Sequence, residues 1–305
     1  MTLRSKANLG VLLCSFLWGV TFVVVKDALA DASVFMYLAA RFALAALPMA
    51  WFCRADLRRL SGAEWRAGVW IGILMFGGYA FQTAGIAETT PSKAAFITGF
   101  SVVLVPVFIA LFWRRRISVW AWAGACASLA GLYFLTVPRA GIADLNRGDL
   151  LVLVCAILYA FQIIFISRHS GHHSLGGLSF LQVAVTAVLS LAAVPLLAAA
   201  HWERPRFHLT PELIFGVLVT AVFTTAIAYP LLVWAQRHTS ATNTALILAS
   251  EPVFAAVTSY IALRERLGVR ALVGAALILA GILVAELKGA VQAAAETREE
   301  RHESA

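Results

Sequence analysis

Residues able to do chemistry are scarce in this chain, and the sharpest of them is a single acid. Glu251 sits in TSATNTALILASEPVFAAVTSYIALRERLG (239–268), an apolar run long enough to cross a bilayer. No other carboxylate in the sequence lies well inside an apolar segment. A charge left unpaired at that depth costs at least about 2.5 kcal/mol, so Glu251 needs a cation, a proton or a wet cavity. The chemistry open to it is proton exchange or capture of a substrate ammonium; the plainer alternative is hydrogen bonding around a helix kink. Pro252 beside it removes a backbone donor and frees a carbonyl about one turn earlier. With Asn243 and Ser250 in the same run, a polar break at mid-membrane depth is expected, and solute paths are built at such breaks.

A second set could line a cavity around that acid: Trp18, Tyr79, Gln82, Tyr159, Gln162, Tyr229 and Asn243. Binding pockets combine apolar walls with a few placed polar groups, although each of these residues alone also suits ordinary packing. Gln82 follows Tyr79 by three residues and Gln162 follows Tyr159 by three, so each amide shares a helix face with a tyrosine. Arg41 lies in an apolar stretch at a depth from which its side chain could snorkel to the interface; a structural pair with a carbonyl or acid is expected, and contact with a substrate carboxylate is the alternative. Pro106, Pro230 and Pro252 interrupt apolar runs and are candidate kinks or gating points. His169, His172 and His173 have a spacing a metal could use, but no cysteine or carboxylate accompanies them, and SRHSGHH reads as a solvated loop with no metal. No cofactor is expected.

The elements that must position these groups are membrane helices. The chain has 305 residues, of which 61% are hydrophobic and 13% charged, with mean hydropathy +0.84. A soluble domain carries about 25% charged residues. The net charge of +8 is split into short basic clusters between apolar runs, the pattern of topology signals rather than of a nucleic-acid surface. Cys14, Cys53, Cys126 and Cys155 lie in or beside apolar segments with no CxxC pair and read as small core residues. Ten spans are predicted, at 8–26, 33–53, 66–87, 92–113, 118–137, 149–167, 175–200, 212–236, 242–263 and 268–287. The first reads as a span rather than a removed signal peptide, because Lys26 and Asp27 follow it in place of a cleavage site. Ser61 with Glu64 resembles a capping box, and Thr90-Pro91 and Thr210-Pro211 each offer an N-cap followed by proline. Residues 288–305 read as a polar cytoplasmic tail, partly disordered.

Loop charge in the first half sets nine basic residues, among them Arg54, Arg58 and Arg114–Arg116, against Lys26 and Lys93, which puts the N-terminus in the cytoplasm. The second half carries the opposite bias, with seven arginines in its predicted outer loops against Arg168, Arg237 and Lys288. Ten spans with both termini cytoplasmic follows the first half.

An internal repeat fixes the architecture. A shift of 150 residues lays Tyr79 on Tyr229, Thr89 on Thr239 and Val107 on Val257, and VWAWAGACASLAG (119–131) on VRALVGAALILAG (269–281). A shift of 141 lays Cys14 on Cys155, Trp18 on Tyr159 and Arg41 on Gln182. Five spans is an odd number, so the second copy must be inverted relative to the first, with a site expected near mid-membrane at their interface. The expected fold is all-α and polytopic, ten transmembrane helices in two inverted five-helix repeats, 1–137 and 149–287. Small-xxx-small spacing in the fifth and tenth spans favours close packing, within one chain or across a homodimer, so monomer and homodimer both stay open.

With those residues in place, the chain resembles the drug/metabolite transporter superfamily in its ten-helix form of two EamA-type repeats. The resemblance spans roughly 8–287 and rests on LWGVTFVVVK (17–26), AARFALAAL (39–47), TTPSKAAFITGFSVVLVPVF (89–108), TSATNTALILASEPVFAAV (239–257) and RERLGVRALVGAALILAGILV (264–284). It implies a carrier in the bacterial cytoplasmic (inner) membrane that moves a small metabolite, often outward, by alternating access without ATP. Family cargoes include amino acids and analogues, nucleotide-related compounds and toxic cations, and the fold does not choose among them. WRRRIS (113–118) stands where many members carry an Arg/Glu pair like Arg264-Glu265. An intramembrane enzyme is disfavoured, since GxSxG, HExxH and paired membrane-depth carboxylates are missing. A non-transporting scaffold and a lipid or nucleotide-sugar mover stay open, though the near isolation of Arg41 counts against polyanionic cargo. The expected partners are a small-molecule substrate, the lipid bilayer and protons as coupling ion, and no nucleic acid.

Overall fold

A computed structural model describes residues 1–89, 91–137, 146–263 and 268–303, without the side chains of residues 91, 92, 136, 259–263, 286 and 289–303. Thr90 and the Arg264-Glu265 pair therefore fall outside the described residues. Seven helices are long and apolar enough to cross a membrane: Leu3–Ala28, Val34–Phe52, Gly62–Glu88, Lys93–Trp113, Arg147–His169, Leu175–Ala199 and Pro211–Gln236. Two shorter apolar helices, Val119–Leu135 and Val269–Ala285, supply the fifth and tenth spans. The ninth span is two pieces, Ala241–Leu248 and Glu251–Leu263. The protein is thus a polytopic all-α membrane protein of two inverted five-helix repeats. Leucine, valine and phenylalanine side chains such as Leu13, Leu47, Leu150, Val188 and Phe215 stay exposed along the helices, as lipid-facing surfaces require.

Local chemistry sets the helix ends. Thr210 caps Leu213 N–H with Pro211 in the first turn, as its sequence predicts. Ser61 caps Glu64 N–H, but the reciprocal half of the capping box is absent. Glu64 Oε1 instead accepts from the Ser174 N–H (3.0 Å) and the Ser174 hydroxyl, while Asp56 Oδ2 accepts from Gly176 N–H (2.9 Å). Acids of the first half thereby neutralise the N-terminus of the seventh span. The inverted image recurs at the other end, where Glu203 accepts from Val34 N–H (2.7 Å) and Phe35 N–H (3.2 Å) at the start of the second span.

The fifth and tenth spans meet within the chain. A Cβ on Gly124 would sit 2.6 Å from the Gly281 carbonyl oxygen, and one on Gly131 would sit 2.6 Å from that of Gly274. Gly124 and Gly274 are repeat equivalents, as are Gly131 and Gly281, so each glycine opposes the equivalent of the other, which is what an antiparallel pair about a two-fold axis produces. The other contacts between halves also come in image pairs: the third span packs on the sixth as the eighth does on the first, and the fourth packs on the sixth as the ninth does on the first.

Three expectations need correction here. The tail does not turn irregular at Lys288: one helix runs from Val269 to Glu303, because AVQAAAETREERHE is rich in strong helix formers. His169 is not in a loop but closes the helix Arg147–His169, its ring stacked on His173 at 5.7 Å. Of the cysteines only Cys14 and Cys155 are buried; Cys53 is half-buried and Cys126 exposed. Several second-half arginines that run against the first-half charge bias have local partners. Arg206 donates to Leu29 O (3.2 Å), Arg270 lies over the Tyr133 ring at 5.2 Å, and Arg147 sits 3.9 Å from Glu88.

Candidate functional site

The sequence of the ninth span demands a break, and the chain breaks there. Pro252 cannot donate to the carbonyl of Leu248, where the first piece stops, and Glu251 opens the second piece. The Ser250 hydroxyl turns back to Ile247 O (2.7 Å) and meets the Ser15 hydroxyl at 3.0 Å. The first span fits against this break through Gly19, where an added Cβ would collide with the Glu251 carbonyl and lie 2.9 Å from Phe254 Cβ.

The fourth span breaks at the same register. Its pieces are Pro91–Gly99 and Ser101–Trp113, which shifted by 150 residues fall at 241–249 and 251–263. Ser101 is therefore the counterpart of Glu251. Two broken helices face a cavity of about 90 Å³, enough for several waters, between the two halves. Ser101, Glu251 and Pro252 all line it.

The opposite wall is built around Arg41. Its side chain is buried, 3% exposed, and does not snorkel. Its Nε donates to Thr225 Oγ1 (3.1 Å), and its Nη2 donates to Thr224 Oγ1 (2.8 Å) and to the Tyr79 hydroxyl (3.2 Å). Its guanidinium also lies 4.6 Å from the centre of the Tyr79 ring and 5.1 Å from that of Phe42. The two threonines belong to a π-helical segment, Val222–Ile227, just ahead of Pro230. Proline at 230 leaves the Ala226 carbonyl without its usual donor, and the wider turn absorbs that loss. The same segment turns Thr224 O toward Trp18, whose indole N–H donates to it at 2.9 Å.

Tyr79 and Tyr229, repeat equivalents, touch each other: the Tyr229 hydroxyl donates to that of Tyr79 at 3.0 Å. Contact between equivalent residues puts the pseudo-two-fold axis through this pair. Tyr159 packs edge-on against Tyr79 at 5.6 Å and donates to Gln82 Oε1 (3.2 Å), whose amide donates to Thr98 (3.3 Å). Gln162 Nε2 donates to Gln182 Oε1 at 3.2 Å.

Nine of the twelve residues singled out from the sequence line this cavity: Trp18, Arg41, Tyr79, Gln82, Tyr159, Gln162, Tyr229, Glu251 and Pro252; Pro230 does not line it but lies beside the π segment that does the positioning. Asn243 does not line it either. It lies a turn into Ala241–Leu248, bonded to Asn8 Oδ1 (2.9 Å) and Thr239 (2.8 Å), and lines a different space. Pro106 is buried within the continuous helix Ser101–Trp113, away from the break, which lies at Gly99–Phe100. Thr224, Thr225 and Ser101 were not anticipated. The 150-residue shift applied to Glu251 is a signal that finds Ser101, whereas the two threonines are placed by the π segment.

The electrostatics are lopsided. Arg41 comes from the first half and its counterpart is neutral Gln182; Glu251 comes from the second and its counterpart is Ser101. Among the described residues the two charges form no ion pair with each other or with any other group. A carboxyl group and a guanidinium on one cavity, neither held in an ion pair among the described residues, can receive a solute that carries the complementary charges.

Residues 5–137 and 146–287 each match the model of the EamA-like transporter family. An uncharacterized transporter of Archaeoglobus fulgidus is 34% identical over 93% of this chain and 87% of its own length. The uncharacterized transporter YoaV of Bacillus subtilis is 22% identical over 92% and 96%. A solved crystal structure, 20% identical, shares the fold with a TM-score of 0.77 over 93% of this chain and 97% of its own.

Proposed function

Since this chain belongs to the EamA-like transporter family, we propose that it exports a small amino-acid-like solute across the inner membrane by alternating access, with both termini in the cytoplasm. The observation that carries the reading is one basic and one acidic side chain, Arg41 and Glu251, on one cavity between inverted halves and neither in an ion pair among the described residues. Arg41 would take the cargo carboxylate and Glu251 the cargo ammonium, with Trp18, Tyr79, Tyr159 and Tyr229 as the apolar and aromatic walls. Such a cargo enters as a net-neutral solute and replaces the water that both charges otherwise need. A polyanion would meet one cation and one repelling acid, which disfavours nucleotide-sugar cargo.

The cycle follows from the broken helices. The four pieces of the fourth and ninth spans pivot at Gly99–Phe100 and Ala249–Ser250, and the cavity opens to one face or the other as the pieces swing. Once cargo leaves, a proton on Glu251 keeps the empty carrier from returning with a bare buried charge, which couples export to proton entry. The inner-membrane orientation rests on the first-half loop charge.

The test is growth rescue. Cells expressing the protein are challenged with toxic amino acids, their analogues and cationic dyes. Resistance to the amino-acid analogues that is lost in Glu251→Gln is expected. Protection against the dyes alone would contradict the reading.

A further inference from the structure

A second, larger space of about 810 Å³ opens at the end of the molecule that carries the N-terminus. It is separated from the central cavity by a small apolar core of its own, in which Val105, Ala160, Ile163, Ile164, Ala241 and Ala245 pack together. Ile163 faces the central cavity while Ile164 and Ala241 face the vestibule, so this core is the partition between them.

The vestibule is strongly basic. Arg115 and Arg116 follow the fourth span, Arg168 ends the sixth and Arg237 follows the eighth, and all four converge on the same hollow. Among the described residues no aspartate or glutamate lines it, and none of these four arginines forms an ion pair. Two are held in place by neutral groups: Arg168 lies 5.0 Å over the Trp113 ring, and Arg237 Nη2 donates to His173 O at 2.6 Å. The N-terminus of Ala241–Leu248 opens into the same hollow. Ser240 satisfies the Asn243 N–H at 3.1 Å, whereas the N–H groups of Ala241 and Thr242 meet no acceptor among the described residues. Loop arginines that only mark topology have no reason to converge on one concave space. Four guanidiniums with a helix N-terminus and, among the described residues, no acid form a recess of like charge that an anion would relieve.

We propose that this vestibule is a binding site for a phosphate group, separate from the cargo cavity. The group is either that of a soluble phosphate compound or the headgroup of an acidic phospholipid, and one experiment both tests the site and separates the sources. The purified full chain in dodecyl maltoside, whose headgroup has no phosphate, is titrated with inorganic phosphate by calorimetry and then with phosphatidylglycerol.

Saturable phosphate binding is expected, weakening as salt is raised. It should weaken by about ten-fold in Arg115→Gln/Arg116→Gln, the loss of roughly one charge-assisted hydrogen bond. These two side chains are exposed, so the double variant spares the core. Arg168→Gln should weaken it too, and Arg204→Gln, on the opposite face, should not. Displacement of phosphate by phosphatidylglycerol at lower concentration assigns the site to lipid, and failure to displace assigns it to a soluble compound. Absence of saturable binding of either ligand overturns the proposal, as does binding that both arginine variants leave unchanged. Because the readout is binding, the transport reading stands or falls separately.

Discussion

The fourth and ninth spans are the same device built twice. Both break at the same repeat position, Phe100 in one and Ser250 in the other, and both face the cavity opposite the wall built around Arg41. Their chemistry differs. The fourth span offers the Ser101 hydroxyl where the ninth offers the Glu251 carboxylate, while the second span offers Arg41 where the seventh offers Gln182. Duplication supplied two equivalent scaffolds, and each half then kept one charge of opposite sign. A symmetric pair of acids or of arginines would repel across the axis marked by Tyr79 and Tyr229; one of each makes a site with a direction.

The largest effect should come from removing that asymmetry at the acid. Glu251→Gln is expected to lower transport by about a hundred-fold and to abolish its dependence on pH, whereas Ser101→Ala, at the equivalent position, should cost no more than about two-fold. Initial rates over a pH series check both; unchanged rates and unchanged pH dependence in Glu251→Gln would remove the proton role. Arg41→Gln copies the seventh-span residue into the second. It removes the guanidinium's hydrogen bonds to Thr224, Thr225 and Tyr79 and should cost about 1–3 kcal/mol in stability with a rise in the half-saturating cargo concentration, read by thermal melting and transport kinetics.

A smaller effect probes the packing at the break. Gly19 touches the ninth span so closely that Gly19→Ala should destabilise by about 1–3 kcal/mol. Its counterpart at the 141-residue shift is Ala160, which already holds a methyl group in the apolar partition. Ala160→Gly should therefore loosen that partition rather than relieve a clash, costing about 1 kcal/mol, and thermal melts of the two variants should separate these outcomes. The smallest effect belongs to the axis. Tyr79→Phe and Tyr229→Phe each delete the shared hydrogen bond and should cost about 1 kcal/mol, with the double variant costing less than the sum of the two.

Much of this could be read in the chain, because membrane spans and repeats leave periodic marks. The ten apolar runs, the break beside Pro252 and the inverted duplication all follow from composition and register. The equivalence of Tyr79 and Tyr229 follows too, but their contact is a fact of tertiary structure. Depth was harder. Asn243 shares a span with Glu251 but lies eight residues earlier, about 12 Å along a helix, which carries it out of the cavity and to the vestibule. Arg41 looked shallow enough to snorkel because the hydroxyls that hold it come from Thr224 and Thr225, nearly two hundred positions away in sequence. A π segment has no composition of its own, so neither those threonines nor the Trp18 contact could be placed. The convergence of Arg115, Arg168 and Arg237 is likewise a fact of tertiary structure, since in the sequence each reads as an ordinary loop charge.

Counterflow in proteoliposomes with matched cargoes tests the opposed-charge site most directly: a zwitterionic amino acid, its amide without the carboxylate, and its deaminated acid without the ammonium. The account predicts that the zwitterion is carried and that each singly charged relative is carried at least about ten-fold more slowly. Equal counterflow of the amide or of the deaminated acid would show that Arg41 and Glu251 do not hold the two ends of the cargo.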